Sequence, residues 1–229
     1  MSSGFVIAPP AVPSLAVAGT SDRFPVRRIY CVGRNYLEHI REMGNDEREP
    51  PNFFQKPADA LVDSGSTIPY ATATKDLQYE LELVVALKSG GYNIPASDAP
   101  AHIWGYGVGL DMTRRDIRLP GKPWETSKSF DRSCPCGPLS RVAETGHISS
   151  GGIRLTVNAE VRQDSDVSLM IWNVPDIIAN LSSFFELKAG DIILTGTPHG
   201  VGPVNPGDEL VGTIDGLESL TIRIGAPAA

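Results

Sequence analysis

The chain has 229 residues, of which 41% are hydrophobic and 21% charged, and its formal net charge is −7 at pH 7. This composition is typical of a globular protein with a substantial core, and the acidic balance disfavours nucleic acid and anionic membranes as partners. No apolar run approaches the roughly 18 residues that a membrane-spanning helix needs, so we expect no membrane partner and a cytoplasmic location.

Residues 1–24 are predicted to form an N-terminal arm or small extension. They lean apolar but begin without basic residues, and Pro9, Pro10 and Pro13 interrupt any signal-peptide core. No internal repeat or low-complexity block divides the remainder, so residues 25–229 are expected to form one main domain.

Short apolar, β-branched segments, most of them bounded by Gly, Pro, Asp or Asn, predict strands. In chain order they are RRIYCVG, ELVVAL, HIWGYGVGLDM, IRLTVNAEV, DIILTG, DELVGTI and SLTIRIG. Helix signals are fewer: residues 35–43, with Asn35 as N-cap, and residues 174–185, with Pro175 in the first turn. The pattern predicts a mainly β domain with a few short helices and no regular βαβ alternation.

The first predicted helix carries a histidine and a glutamate on one face. His39 and Glu42 are three residues apart, which brings their side chains within hydrogen-bonding reach on a helix. A carboxylate orients an imidazole and stabilises its charged form, as a general base requires. An exposed helical ion pair has the same spacing, so the pattern alone leaves both interpretations open.

Residues 76–87, DLQYELELVVAL, predict a strand with two carboxylates inside an apolar run. Alternation places the side chains of Glu80 and Glu82 on the same face, with their Cα atoms roughly 7 Å apart. Neighbouring carboxylates repel unless a cation lies between them, and oxygen ligands suit Mg²⁺, Mn²⁺ or Ca²⁺. The solvated outer face of an edge strand is the alternative interpretation.

Asp111 is the candidate for a third oxygen ligand. It ends an apolar, glycine-rich predicted strand and precedes a charged turn, a common position for a site residue. An ion pair with Arg114 or Arg115 explains it equally well.

Two glycine-rich segments lack the features of nucleotide-binding loops. Residues 105–109, GYGVG, have the wrong glycine spacing for a dinucleotide fingerprint, and residues 194–208 lack the GK[ST] ending of a phosphate-binding loop. The turn at 196–198 could offer N–H groups and the Thr197 hydroxyl to a carboxylate or an oxyanion, although a plain tight loop fits as well. Lys128, among small polar residues, is compatible with an ordinary surface lysine.

Taken in order, several segments resemble those of the fumarylacetoacetate hydrolase family. They are GRNYLEHIREMG, FFQKPADALV, YELELVVAL, GYGVGLDMTRRD, SKSFD and GDIILTGTPHGVGPV. The resemblance covers roughly residues 25–225, and MGNDEREPPNFFQKPADALV is most similar to the fumarylpyruvate hydrolase branch. Acylpyruvate hydrolases and oxaloacetate decarboxylases are close relatives of that branch.

The resemblance implies a mainly β (α+β) fold, a mixed β-sandwich roll with a few short helices, that is usually homodimeric. It implies a metal site formed by Glu80, Glu82 and Asp111, holding Mg²⁺ or Mn²⁺, with Ca²⁺ as a further possibility. The domain at 25–229 is then the catalytic one.

The resemblance also implies the roles of the remaining polar residues. His39 and Glu42 match the family's water-activating pair on a short helix that can act as a lid, and Lys128 matches an oxyanion-stabilising position. Among the substrate-binding residues it places Arg34, Arg115, Arg118 and Thr197.

The implied reaction is metal-dependent hydrolysis of a carbon–carbon bond in a 2,4-diketo acid, a step of aromatic-compound catabolism. Arg118 stands where several relatives that act on acylpyruvates carry Gln, and a bidentate pair with a second carboxylate would favour fumarylpyruvate, cleaved to fumarate and pyruvate. Surface pairing of Arg118 with Asp116 or Glu125 is the alternative. Acylpyruvate hydrolysis, oxaloacetate decarboxylation and non-catalytic binding of a metal and a 2-oxo acid also remain open.

Overall fold

The computed structural model describes residues 4–38 and 50–227. Within these ranges the strands are β1 (Ser14–Ala16), β2 (Arg23–Pro25), β3 (Arg28–Gly33), β4 (Asn52–Lys56), β5 (Leu61–Asp63), β6 (Thr67–Tyr70), β7 (Leu77–Tyr79), β8 (Leu81–Leu87), β9 (Ile103–Leu110), β10 (Thr113–Arg114), β11 (Cys134–Cys136), β12 (Ser140–Arg141), β13 (Gly152–Val157), β14 (Glu160–Asp166), β15 (Asp191–Leu194), β16 (Gly202–Pro203), β17 (Glu209–Ile214) and β18 (Leu220–Pro227). The α-helices are α1 (Ala99–His102), α2 (Glu125–Lys128), α3 (Val142–Thr145) and α4 (Val174–Phe184). Single 3-10 turns are found at 58–60, 115–117 and 167–169.

Two large sheets dominate the described part of the chain. One is eight-stranded, with the order β4-β3-β15-β8-β9-β11-β5 and β12 also paired to β9; the other is five-stranded, with the order β14-β13-β17-β18-β6. Parallel pairs (β3 with β15, β5 with β11, β6 with β18) occur beside antiparallel ones. The predicted mixed, mainly β sandwich roll with few short helices is therefore confirmed.

The eight-stranded sheet has an apolar core on each face, because its strands alternate their side chains between the two. Leu81, Leu83 and Val85 of β8 join the larger core, which also takes residues of the five-stranded sheet and α4. Val84 and Ala86 of the same strand join a smaller core on the opposite face. The direction of each β8 side chain thus follows the predicted alternation.

The sequence pattern predicted one continuous strand over residues 76–87, but the structure divides this segment into two strands. β7 ends at Tyr79 and β8 begins at Leu81, so that Glu80 lies at the break between two different sheets. β8 is also a central strand, between β15 and β9, and both Glu80 and Glu82 are buried. The interpretation of these glutamates as the solvated face of an edge strand is therefore wrong.

The glycines of β9 allow close packing. A Cβ at Gly105 would lie 2.2 Å from the carbonyl oxygen of Ser140, and one at Gly109 would lie 2.6 Å from a methyl group of Val84. Both distances are shorter than real Cβ contacts, so any larger residue would push the neighbouring strands apart. The GYGVG pattern is thus explained by strand packing.

Near the N-terminus, β1 and β2 form a hairpin whose side chains Leu15 and Phe24 are part of the smaller core. Val17, in the connection between the two strands, pairs with Leu139 in an isolated bridge. The boundary between an arm at 1–24 and a domain at 25–229 stays a prediction.

α4 begins one residue after Asn173, whose side chain accepts a hydrogen bond from the N–H of Asp176, and it ends at Phe184. Most of the other predicted helix, 35–43, lies outside the described residues. Asn35, predicted to be its N-cap, instead uses its amide group to bind Trp172 and Thr195. No helix in the described part of the chain is long and apolar enough to cross a membrane.

Candidate metal centre

Three buried carboxylates converge where β8 and β9 lie side by side. Glu82 of β8 is opposite Gly109 of β9, and the N–H of Asp111, just beyond β9, donates to the carbonyl oxygen of Glu80 at 2.8 Å. One carboxylate oxygen from each of Glu80, Glu82 and Asp111 lies within 4.8 Å of the other two. Glu82 lies within an antiparallel strand pair in the core, and Glu80 and Asp111 flank that pair, which fixes their separation.

Two lysines and an arginine surround these carboxylates. Lys128 Nζ lies 2.6 Å from Glu80 Oε2 and 2.6 Å from Asp111 Oδ2, while Lys56 Nζ lies 2.7 Å from Asp111 Oδ1. Arg115 donates through Nη2 to Glu80 Oε1. Both lysines are buried, so Lys128 is not the surface residue that the sequence allowed. Asp111 pairs with these lysines rather than with Arg114 or Arg115.

Glu82 is the carboxylate without a cation partner among the described residues. Its Oε2 accepts the N–H of Gly196 at 2.7 Å. Burial raises its pKa well above 4.5, and the charges of Asp111 and Glu80 raise it further, with Lys128 and the Gly196 N–H opposing. Burial by itself would lower the pKa of Lys128, but Asp111 and Glu80 reverse this and raise it.

The residues present fit a hard divalent cation. Carboxylate oxygens are the ligand type of Mg²⁺ and Mn²⁺. A cation beside Glu82 would stabilise its ionised form, which burial and the neighbouring carboxylates disfavour. The sequence prediction of a carboxylate triad at Glu80, Glu82 and Asp111 therefore has a geometry suited to a divalent metal.

A loop after β15 closes one side of the centre. Gly196 has a φ of +95°, and a Cβ there would lie 2.7 Å from the Cβ of Asn35, so glycine is required where its N–H faces Glu82. The neighbouring Thr197 is buried and accepts a hydrogen bond from Gln163 Nε2 at 2.9 Å.

Sequence reasoning missed the residues that hold this loop. Gln163 Oε1 also accepts the N–H of Leu81, which ties β14 and the loop to the start of β8. Asn35 binds Thr195 and Trp172 from the other side, as described above. Their signal in the sequence is weak, because each is a single amide residue and its partners lie at least 34 residues away.

A cleft lies over the carboxylates. Its lining includes Arg34, Arg115, Arg118, Lys128 and Thr197, so the structure brings these predicted residues together with the three carboxylates. Val32, Gly33, Phe54 and Trp124 complete the wall. His39 and Glu42, the predicted water-activating pair, lie outside the described residues.

Comparison with known proteins identifies the family. The profile of the fumarylacetoacetate (FAA) hydrolase C-terminal family matches residues 28–225. A crystal structure described as fumarylpyruvate hydrolase from Pseudomonas aeruginosa in complex with Mn²⁺ and pyruvate is 49% identical, covers 97% of this chain and all (100%) of that one, and superposes with a TM-score of 0.95.

Two characterised relatives have different activities in their names. The oxaloacetate tautomerase YcgM of Escherichia coli (strain K12) is 42% identical over 88% of this chain and 94% of its own length. A fumarylpyruvate hydrolase of Ralstonia sp is 39% identical over 76% of this chain and 92% of its own length. The relatives thus share the 2-oxo acid part of their substrates and differ in the reaction.

Proposed function

The chain belongs to the fumarylacetoacetate hydrolase family, and on that premise we propose that it hydrolyses a carbon–carbon bond of a 2,4-diketo acid, fumarylpyruvate being the substrate. The observation that carries the proposal is the buried triad of Glu80, Glu82 and Asp111 below a cleft lined by arginines. The Mn²⁺ and pyruvate in the similar Pseudomonas structure support it, because pyruvate is one of the two expected products.

We assign Glu80, Glu82 and Asp111 as ligands of Mg²⁺ or Mn²⁺. When bound, the ion supplies Lewis acidity that polarises a carbonyl group of the substrate. Arg34, Arg115 and Thr197 would orient the 2-oxo acid end. Their side chains line the same cleft, and Arg115 is already fixed by Gln78 Oε1 at 2.8 Å and by Glu80.

His39 is the proposed general base, oriented by Glu42. It would take a proton from a water molecule whose oxygen adds to the C4 carbonyl, and Lys128 would stabilise the oxyanion that forms there. The C3–C4 bond then breaks with its electron pair moving to C3, which a proton converts to the methyl group of pyruvate. The C4 fragment leaves as fumarate, so one water molecule is consumed per turnover.

Oxaloacetate is the second candidate substrate, favoured by the relatives named as oxaloacetate tautomerases. Tautomerisation or decarboxylation of oxaloacetate needs the same carboxylate triad but no attack by water. It therefore predicts a different dependence on His39, which separates the two candidates.

The first experiment removes metal with EDTA, restores Mg²⁺ or Mn²⁺, and follows fumarylpyruvate, acetylpyruvate and oxaloacetate by absorbance. Metal-dependent cleavage of fumarylpyruvate well above the other two would support the proposal. Activity on oxaloacetate alone would replace it with the second candidate. Binding of metal and 2-oxo acids without turnover would leave a binding protein.

His39→Ala tests the division of roles. It should abolish hydrolysis while Mn²⁺ affinity, measured by calorimetry, stays nearly unchanged, since His39 is not a proposed ligand. Glu42→Gln should slow hydrolysis less, because it removes only the charge that orients the imidazole. Loss of both hydrolysis and metal affinity in His39→Ala would contradict this division.

We further propose that the protein acts as a cytoplasmic homodimer in aromatic-compound catabolism. Size-exclusion chromatography with light scattering tests the dimer, which should have twice the chain mass of 24.5 kDa.

A further inference from the structure

We propose that Arg118, stacked on Trp124, forms a subsite for a second carboxylate at the far end of the substrate, so that the cleft selects dicarboxylic over monocarboxylic 2-oxo acids. This inference deepens the proposed function and rests on it for the orientation of the 2-oxo acid end.

The position of Arg118 is fixed by aromatic packing. Its guanidinium carbon lies 3.9 Å from the ring centroid of Trp124, a close cation–π contact. The Trp124 ring in turn meets Phe54 edge-on, with centroids 5.2 Å apart. A guanidinium packed over the face of an indole ring keeps the N–H groups at its edge available for hydrogen bonds.

Gly33 makes room for this stack. A Cβ at position 33 would lie 2.8 Å from Cζ3 and 2.9 Å from Cη2 of Trp124, closer than real Cβ atoms approach. The indole ring can therefore occupy its place in the cleft wall only because residue 33, at the end of β3, lacks a side chain.

The guanidinium of Arg118 has no acidic partner among the described residues. Its Nε is buried and makes no hydrogen bond there, whereas Arg115 donates to Gln78 and Glu80. The surface alternative also fails for Asp116, whose oxygens accept from the Thr74 hydroxyl and the Lys75 N–H. A partly buried guanidinium without an anion keeps unpaired donors, and a bound carboxylate would accept their hydrogen bonds.

The charges around Arg118 define where an anion can go. Burial lowers the pKa of Arg118; among the neighbouring charges, Glu80 and Asp111 raise it and the guanidiniums of Arg115 and Arg34 lower it. Glu80 and Asp111 already pair with Lys128, Lys56 and Arg115, whereas Nε of Arg118 makes no hydrogen bond among the described residues. A second carboxylate of the substrate would therefore be attracted to Arg118 at this side of the cleft.

A neutral end group cannot replace the carboxylate. It would cover the Arg118 N–H groups without accepting their hydrogen bonds, and such unpaired charged donors are penalised more than a missing contact. We therefore expect wild-type protein to bind a dicarboxylic 2-oxo acid about 10- to 100-fold more tightly than its monocarboxylic analogue, the range for a charge-assisted hydrogen bond.

Calorimetry on the Mn²⁺-loaded full chain tests this with two ligands of equal length, 2-oxopimelate (two carboxylates) and 2-oxoheptanoate (one). Arg118→Gln should remove the preference by weakening 2-oxopimelate about 10- to 100-fold while leaving 2-oxoheptanoate within about threefold. Arg118→Lys should restore part of it, because a lysine keeps the charge without the planar stack. Arg154→Gln, on an exposed arginine paired with Asp164 in another sheet, is the matched control and should change neither affinity.

Gly33→Ala tests the packing without touching the charge. Displacement of the Trp124 ring should reduce the 2-oxopimelate preference, with Mn²⁺ affinity and melting temperature reported for every variant. Equal wild-type affinity for the two acids, or an equal loss of both in Arg118→Gln, would overturn the subsite. Wild-type selectivity without cleavage of any diketo acid would instead overturn the proposed reaction and leave the subsite standing.

Discussion

Glu82→Gln separates the energetic cost of the buried triad from its use as a metal site. Gln has nearly the same shape and keeps an oxygen for the N–H of Gly196, which lies 2.7 Å from Glu82 Oε2. The substitution removes one of three negative charges whose oxygens lie within 4.8 Å of one another. Metal-free protein should therefore become more stable, and the response to Mn²⁺ should shrink.

The magnitude follows from the distances. Two unit charges 4.8 Å apart repel by about 3.5 kcal/mol at an effective dielectric constant near 20. Glu82 faces two such carboxylates, and the attraction of Lys128 offsets much of the sum. We expect at least about 1 kcal/mol to remain, which raises the melting temperature of a chain of this size by about 2–4 °C.

The metal response should change in the opposite direction. Mn²⁺ at 100 times its dissociation constant stabilises wild-type protein by about 2.7 kcal/mol, and a tenfold weaker affinity in Glu82→Gln reduces this to about 1.4 kcal/mol. Thermal melts with EDTA and with Mn²⁺ measure both quantities. Glu160→Gln is the matched control, because that exposed glutamate pairs with Arg162 in the five-stranded sheet, away from the triad.

The pH dependence has a defined sign. The pKa of Glu82 is raised above 4.5 in the folded protein, so the stability linked to its protonated form is fully present below that pH. It is lost as the pH rises through the raised pKa. Glu82→Gln should flatten this fall in the metal-free protein. A variant that is less stable without metal and keeps the full Mn²⁺ shift would refute the reasoning.

Three further substitutions test the surroundings of the triad. Lys56→Met leaves Asp111 to share Lys128 with Glu80 and should cost about 1.5–3 kcal/mol in urea unfolding of the metal-free protein; a cost below about 1 kcal/mol would contradict the pairing. Gly196→Ala should cost about 1–3 kcal/mol through its positive φ and also weaken Mn²⁺ binding in calorimetry, whereas unchanged affinity would show that its N–H does not support Glu82. Asp191→Asn removes the carboxylate charge that accepts hydrogen bonds from Arg27 at 2.7 and 2.8 Å. We expect the free energy of unfolding in urea to fall by about 1.5–3 kcal/mol, at the lower end because Arg27 is partly exposed. A melting temperature that equals that of the wild type in both low and high salt would contradict this ion pair.

Local patterns in the sequence were enough to predict much of the fold and two of the three clustered carboxylates. Strands such as β3, β13 and β17 are short apolar runs between turn residues, and such runs form strands wherever the rest of the chain covers them. Period-two alternation placed Glu80 and Glu82 on one face. The end of a predicted strand made Asp111 a candidate, and the family resemblance favoured it over an ion pair, because residues 29 positions apart share no local pattern.

Burial and partners were decided by the tertiary structure alone. The same alternation allowed Glu82 to be solvated, and only the position of β8 between β15 and β9 buries it. The choice of Lys56 and Lys128 as partners of Asp111 depends on β4 and α2 arriving at one point, which no spacing encodes. The stack of Arg118 on Trp124 likewise requires Gly33 from a distant strand, since packing contacts join residues that the sequence keeps far apart.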